Sequence, residues 1–277
     1  MSQDNFFYIL VSNIVISDQN DDDTQIRKIA QRLECSRDVI TSIQMLKRSV
    51  DGRRRPPVWL GNYQVGICDQ QNYDKILSTK KHGVRAFSNR DKKRHNMIDF
   101  SFSDGFIWPK QIKVVVVGAG PAGMFAALRL AQAGANAILI ERGGDVKDRH
   151  VKVRQFWRHH ELHPECNVVY GEGGAGAFSD GKIYTRKRDG ELGWVFDQLV
   201  KHGADPEILE EGWAHLGTDK IREILPNIRQ SILDTGIEIR FQTCVVDLLV
   251  EEKCCKGVVV QNERGEKSTI HCDYVIM

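Results

Sequence analysis

The feature that most constrains this chain runs from Lys113 to Arg142, KVVVVGAGPAGMFAALRLAQAGANAILIER. Val114 to Val117 form a continuous β-branched run, which predicts a parallel strand buried on both faces. Gly118, Gly120 and Gly123 follow at G-x-G-x-x-G spacing. In a dinucleotide-binding turn these three reverse the chain, admit a pyrophosphate close to the backbone, and let a helix pack tightly on the strand. Met124 to Ala133 reads as that helix, with Phe125, Leu128, Leu130 and Ala131 at helical spacing. Its N-terminus would turn free N–H groups and the positive end of its dipole toward an anion. Gly134 ends it, Ala137 to Ile140 makes a second buried strand, and Glu141 closes that strand where a carboxylate can accept hydrogen bonds from ribose hydroxyls. Glu141 also argues against a 2′-phosphate on that ribose, an effect the adjacent Arg142 softens.

At 277 residues there is room for one large or two ordinary domains. The net charge of +2 conceals an asymmetry, since residues 1–110 carry 18 Lys and Arg against 13 Asp and Glu, and the remainder 21 against 24. No stretch reaches the roughly 18 apolar residues a membrane span requires, and the N-terminal apolar run lacks a basic lead, so it reads as a strand rather than a signal peptide. Seven scattered cysteines without a C-x-x-C pair fit a reducing, cytoplasmic setting. Cys254 and Cys255 read as two thiols in a surface hairpin rather than a redox pair.

In the N-terminal part, Phe6 to Ile16 predicts a strand and Ser17 to Asp23 a polar break. Asp23 or Thr24 would cap a helix carrying Ile26, Ile29, Ala30 and Leu33 on one face. Ser36 would cap a second short helix carrying Val39, Ile40, Ile43 and Leu46. Arg53 to Pro57 is a stiff basic connector, and Val58 to Cys68 a further strand, giving a small α+β domain. From Arg48 to Arg94 there are 12 Lys and Arg against 4 acidic residues, including Lys80, Lys81, Lys92, Lys93 and Arg94. A nucleic-acid surface would use such a cluster. A solvated face leading into the next domain is the preferred reading, because no aromatics are interleaved. The domain boundary is expected between Ser88 and Lys110.

Asp145 to Glu161 reads as a charged helix. His163 to Arg186 contains Gly171, Gly173, Gly174, Gly176 and Gly181, a loop suited to bringing backbone N–H groups against a ligand, with Ser179 adding a hydroxyl and Lys182 a cation. His163 and Cys166 make two metal-type ligands, too few for a site, so no metal is expected. After residue 228 the pattern is helix, a turn at Gly236, then strands Glu238 to Phe241, Val245 to Glu251, Gly257 to Gln261 and Thr269 to Cys272, with a hairpin turn at Gly265.

GAGPAG at Gly118 to Gly123 with Glu141, followed by GEGGAGAFSDGKI at Gly171 to Ile183, resembles the bacterial FAD-dependent dehydrogenases of unassigned substrate, within the glutathione-reductase-type flavoprotein superfamily. His215 to Phe241 and the small basic domain are similar to that family too, so the resemblance covers most of the chain. It implies an α/β fold: a Rossmann-like FAD-binding domain over 106–277, incomplete and with the start of an inserted β-rich region, preceded by a small α+β domain over 1–105. Gly118, Gly120, Pro121, Ala122 and Gly123 would cradle the FAD pyrophosphate, and Glu141, with Arg142 beside it, would hold the adenosine ribose. Gly173, Gly174, Ala175, Gly176 and Ser179 would lie near the pyrophosphate or flavin end, and Val245 or its neighbours against the adenine. Thr218 and Asp219 match a family segment without an assigned role. Paired active-site cysteines have no counterpart here, which speaks against thiol–disulfide chemistry.

The resemblance implies an oxidoreductase in which bound FAD carries hydride or electrons, with NADH and NADPH as the donors to test. Family members continue past an A-T-G turn, and this sequence reaches Asp273-Tyr274-Val275-Ile276-Met277 instead, so the expectation is a C-terminally truncated chain or one half of a split pair. No catalytic acid or base stands out, and His159, His160, His163 and His215 are candidates by residue type alone. Two other functions are carried: a flavoprotein acting on RNA through the basic N-terminal domain, and a nucleotide-binding fragment without catalysis.

Overall fold

The computed structural model describes residues 7–16, 21–94, 106, 108–183, 191–210 and 215–277. The fold is α/β and separates into two compact units. The first comprises the described parts of Met1–Asp99, Tyr184–Asp197 and Pro206–Ala214; the second comprises those of Phe100–Ile183, Gln198–Asp205 and His215–Met277. The expected boundary between Ser88 and Lys110 falls largely on residues 95–105 and 107, outside the described residues.

In the first unit β1 (Phe7–Val15) is followed by α1 (Asp22–Leu33). The cap of α1 lies two residues before Asp23 and three before Thr24, the expected caps: Asp21 accepts from the Asp23 N–H at 3.1 Å and from the Thr24 hydroxyl at 3.0 Å, so Thr24 braces the cap rather than forming it. Ile29, Ala30 and Leu33 are its buried face.

The second expected helix is absent. Residues Arg37–Val39 make a single 3-10 turn, and Ile40–Asp51 is a long strand, β2. Its pairing with β3 (Val58–Ile67) slips between Ile40 and Ser42 and again between Met45 and Lys47. Each slip is a bulge that inserts one extra residue, converting strand alternation into the three-residue spacing of Ile40 and Ile43 that imitates a helix. Then come α2 (Gln70–Ser78), capped by Asp69, β4 (Val84–Ala86) and α3 (Asn89–Arg94). The sheet is antiparallel in the order β2-β3-β1-β4. Ile9, Val11, Ile29, Leu33, Tyr63, Val65 and Ile67 are packed together, each buried side chain contributing about 1.5–3 kcal/mol.

Part of the basic run is engaged within this unit. Arg85 grips Asp91 with both Nη atoms, Lys81 pairs with Glu34 at 2.7 Å, and Arg53 pairs with Asp51 at 2.8 Å. The side chains of Lys93 and Arg94 lie outside the described residues.

The second unit holds a parallel sheet and an antiparallel meander. β5 (Lys113–Val117), α4 (Pro121–Gln132) and β6 (Asn136–Ile140) form one βαβ unit. They are followed by α5 (Val146–His159), by α6 (Glu191–Lys201), whose last residues belong to this unit, and by α7 (Thr218–Leu233). β7 (Glu238–Arg240) joins β6, and β11 (Tyr274–Ile276) joins β5, so the parallel order is β11-β5-β6-β7. Between β7 and β11, β8 (Thr243–Glu251), β9 (Cys254–Asn262) and β10 (Lys267–His271) form the meander. Val115, Ile138 and Ile140 from the sheet pack with Val258, Val260 and Ile270 from the meander. This core holds the carboxyl ends of β5 and β6 in register, and ligands of such sheets bind beyond those ends.

Candidate dinucleotide-binding site

At the end of β5 the chain reverses at Gly118, whose φ of +91° is left-handed and whose N–H donates to the Ile140 carbonyl at 2.7 Å. Gly120 is the N-cap of α4, with no side-chain cap bond and Pro121 in the first helical position. A Cβ on Gly120 would meet nothing within 4 Å, so the backbone there borders open space. A Cβ on Gly123 would sit 1.8 Å from the Gly118 carbonyl oxygen. The three glycines therefore meet three separate demands: reversal, access and contact. The uncapped helix start, with its exposed Pro121 and Ala122, leaves its first N–H groups facing that space.

Glu141 lies at the end of β6 and is 3 % exposed. One carboxylate oxygen accepts from the Ala119 N–H at 2.6 Å and the other from the Gly143 N–H at 2.7 Å. The residue read from sequence as a ribose ligand thus also fixes the glycine turn. An ionised carboxylate has about four lone-pair sites, so two remain for hydroxyl donors.

The second glycine-rich segment comes to the first. The Gly173 N–H donates to the Ala119 carbonyl at 2.7 Å, and a Cβ on Gly174 would approach Gly120 Cα to 3.4 Å and Pro121 Cδ to 3.1 Å. Gly174–Phe178 is a short 3-10 turn in which Ala175 is exposed and Gly176, like Gly120, faces open space. Ser179 is exposed, its hydroxyl donating to the Gly176 carbonyl at 3.2 Å.

What holds this segment is a residue the sequence reading did not single out. Arg149, on the inner face of α5, is fully buried. Its guanidinium donates to the carbonyls of Glu172 at 2.5 Å, Gly174 at 2.9 Å, Asn167 at 3.0 Å and Val168 at 3.1 Å. Burial holds its basicity below the ordinary arginine value. Glu172, also fully buried, accepts from the Val146 N–H at 2.7 Å and from Arg229 of α7 at 3.0 Å, while its Oε1 has no partner among the described residues. Burial raises its carboxyl above the usual range, against the opposing pull of the Val146 N–H and Arg229. In sequence α5 looks like a charged surface helix. The one signal for Arg149 is its place three residues before Lys152 and four before Val153, on the helix face that also buries Val146 and Val153.

Beside Glu141 a groove of about 470 Å³ is lined by residues that include Arg142, His163, Cys166, Gln242, Cys244 and Val246. Arg142 donates to Glu165 at 2.5 Å and stacks over Tyr170 at 4.3 Å. Val245 packs into the sheet–meander core, and its two neighbours Cys244 and Val246 face the groove. The other expected residues are placed elsewhere. His159 and His160 end α5 at the surface, and His215 binds the Asp180 carbonyl at 2.8 Å. Lys182 pairs with Asp180 at 2.9 Å, Thr218 opens α7, and Asp219 in its first turn is solvent-facing. No group of three metal-type ligands occurs among the described residues.

Comparison with known proteins gives two family matches. Residues 111–277 match the family described as FAD binding domain, and residues 9–68 match a domain of unknown function. An uncharacterized protein of Clostridium beijerinckii is 33% identical over 269 residues, covering 97% of this chain and 48% of its own length. The thiamine thiazole synthase of Methanococcus maripaludis is 26% identical over 171 residues, covering 58% of this chain and 51% of its own. Among solved structures, THI4 of Thermovibrio ammonificans aligns with a TM-score of 0.40 at 16% identity, over 59% of this chain and 55% of that one. The chain spans about half the length of the curated relatives it matches.

Proposed function

We infer function from one premise: the chain belongs to the FAD binding domain family, through residues 111–277. The proposed function is that of an FAD-dependent oxidoreductase, with NADH or NADPH as electron donor and a small-molecule substrate. The observation that carries it is the glycine turn, where Gly120 borders open space while Gly123 tolerates no side chain. When bound, FAD supplies the hydride or electron chemistry.

The chain's own part is binding and orientation. The backbone from Gly118 to Gly123, with Pro121 and Ala122 opening α4, would receive the pyrophosphate, the helix dipole favouring its charge. Glu141 would accept from the adenosine ribose through the lone pairs left free by Ala119 and Gly143. Arg142 and the neighbours of Val245 would border the adenine end of the groove. Gly173, Gly174, Ala175, Gly176 and Ser179 would face the pyrophosphate from the other side, held in place by Arg149.

The proposed domain division is 1–105 and 106–277, and the proposed setting is the cytoplasm of a bacterium, supported by scattered cysteines. No helix among the described residues is long and apolar enough to cross a membrane. A nucleic-acid role for the basic run is not favoured, because Arg53, Lys81 and Arg85 are already ion-paired. The test is the visible spectrum of the purified chain: bands near about 370 and 450 nm, with FAD released on denaturation, are expected, followed by bleaching with NADH or NADPH. A chain that releases FMN or no flavin, even after incubation with FAD, would overturn the reading.

A further inference from the structure

A second cluster in the FAD-binding unit has more donors than acceptors. His150 and Arg154 lie one turn apart on α5, and Arg222 reaches them from α7. Arg222 Nη1 is 3.1 Å from His150 Nδ1, and Arg154 Nη2 is 2.7 Å from His150 Nε2. A guanidinium can only donate, and a neutral imidazole has one accepting nitrogen, so one of these two contacts always sets N–H against N–H. Protonating the ring would make both contacts repulsive. Arg222 Nε is buried and has no partner among the described residues. The carboxylate nearest to hand is Asp219, whose Oδ1 is 3.5 Å from Arg222 Nη2 and whose side chain is 93 % exposed.

The arginine is held in this position from below. The Arg222 guanidinium lies 5.1 Å from the centroid of the Phe178 ring, and that of Arg149 lies 4.7 Å from the same ring. Two arginines and an imidazole brought together with a single solvated carboxylate repel one another unless an anion joins them.

We propose that His150, Arg154 and Arg222 form a binding site for an oxyanion, a carboxylate or phosphate group, made of side chains separate from those assigned to the dinucleotide. The site is open to solvent on the Arg154 side. Without a ligand, burial and then the charges of Arg154 and Arg222 depress the basicity of His150, with Asp219 working in the opposite direction. A bound oxyanion offsets the positive charge of the two arginines and, by accepting their N–H groups in place of the ring nitrogens, favours a proton on the imidazole.

The experiment is an NMR titration of the His150 ring in the whole chain with sodium phosphate, and separately sodium acetate, at ionic strength fixed with chloride. The expected result is a saturable shift of the His150 signals and a raised titration midpoint, with affinity at least tenfold weaker in Arg154→Gln/Arg222→Gln. The single variant Arg154→Gln, at an exposed position, covers the case in which the double variant fails to fold, and should also weaken binding. Arg264→Gln, which removes one charge on the β9–β10 turn as Arg154→Gln does on α5, and Gly120→Ala, which fills the dinucleotide cradle, should bind as the parent does. Saturation at lower phosphate than acetate assigns a phosphate group, and the reverse order a carboxylate. Absence of saturation with both anions, or equal binding by the arginine variants, or loss of binding in Gly120→Ala, would overturn the proposal.

Discussion

Gly120→Ala separates binding from folding at one position. Gly120 has φ −67° and ψ 177°, backbone angles that alanine adopts without strain, and its added methyl would meet nothing within 4 Å. Replacing glycine where the conformation permits stabilises by about 0.4–1 kcal/mol through the unfolded chain. Alanine is a poorer N-cap than glycine by an amount of similar size, so the net change in stability should fall within about 1 kcal/mol. The methyl nevertheless occupies the space assigned to the pyrophosphate. Losing one charge-assisted hydrogen bond costs about 1.5–3 kcal/mol, or roughly a ten- to hundredfold weaker Kd.

Gly123→Ala is the contrast. Its Cβ would start 1.8 Å from the Gly118 oxygen, and real Cβ atoms stay beyond 3.0 Å, so helix and turn must part by about 1.2 Å. Backbone cannot yield as a side chain can, and a loss of about 3 kcal/mol or more is expected, lowering Tm by roughly 6–12 °C. Thermal unfolding of both variants, with FAD titration of Gly120→Ala by flavin fluorescence, measures the pair. If Gly120→Ala unfolds as early as Gly123→Ala, or binds FAD like the parent, the assignment of separate roles to the three glycines is wrong.

Three further outcomes follow from the same geometry. Arg149→Met should cost at least about 3 kcal/mol in urea denaturation, because four loop carbonyls lose their donor in a buried site. Glu141→Gln should destabilise by about 1–3 kcal/mol, since an amide nitrogen would then face the N–H of Ala119 or Gly143; equal melting of variant and parent would contradict this. In the first unit, Arg85 and Ser88 hold the Asp91 carboxyl well below the ordinary aspartate value. That contribution is present above the unfolded pKa and is lost as pH falls below about 4. Asp91→Asn should therefore lose about 1–3 kcal/mol at pH 7 and show a flatter decline in acid than the parent.

The βαβ unit of β5, α4 and β6 was legible because each of its elements carries its own punctuation. The valine run of β5, the glycines, Gly134 and the carboxylate after β6 mark their elements by local chemistry. The strand at Ile40–Asp51 was not legible, since two bulges disguise its alternation, and a bulge is set by the partner strand rather than by local sequence. Glu141 was recognised by position, but its bonds to Ala119 and Gly143 join residues on two separate loops. Arg149 carried only one faint sequence signal, its place on the helix face of Val146 and Val153, because an arginine in a charged helix reads as solvated until the glycine loop is seen folded over it.

The most direct test of the central claim, that the glycine turn and Glu141 hold a dinucleotide by both pyrophosphate and adenosine ribose, is calorimetric titration of the flavin-free chain with FAD and, in parallel, FMN. FMN lacks the adenosine and the second phosphate. The account predicts one FAD bound per chain and FMN at least about tenfold weaker, a difference of about 1.4 kcal/mol. Equal affinity for the two flavins, or no saturable uptake of FAD, would contradict it.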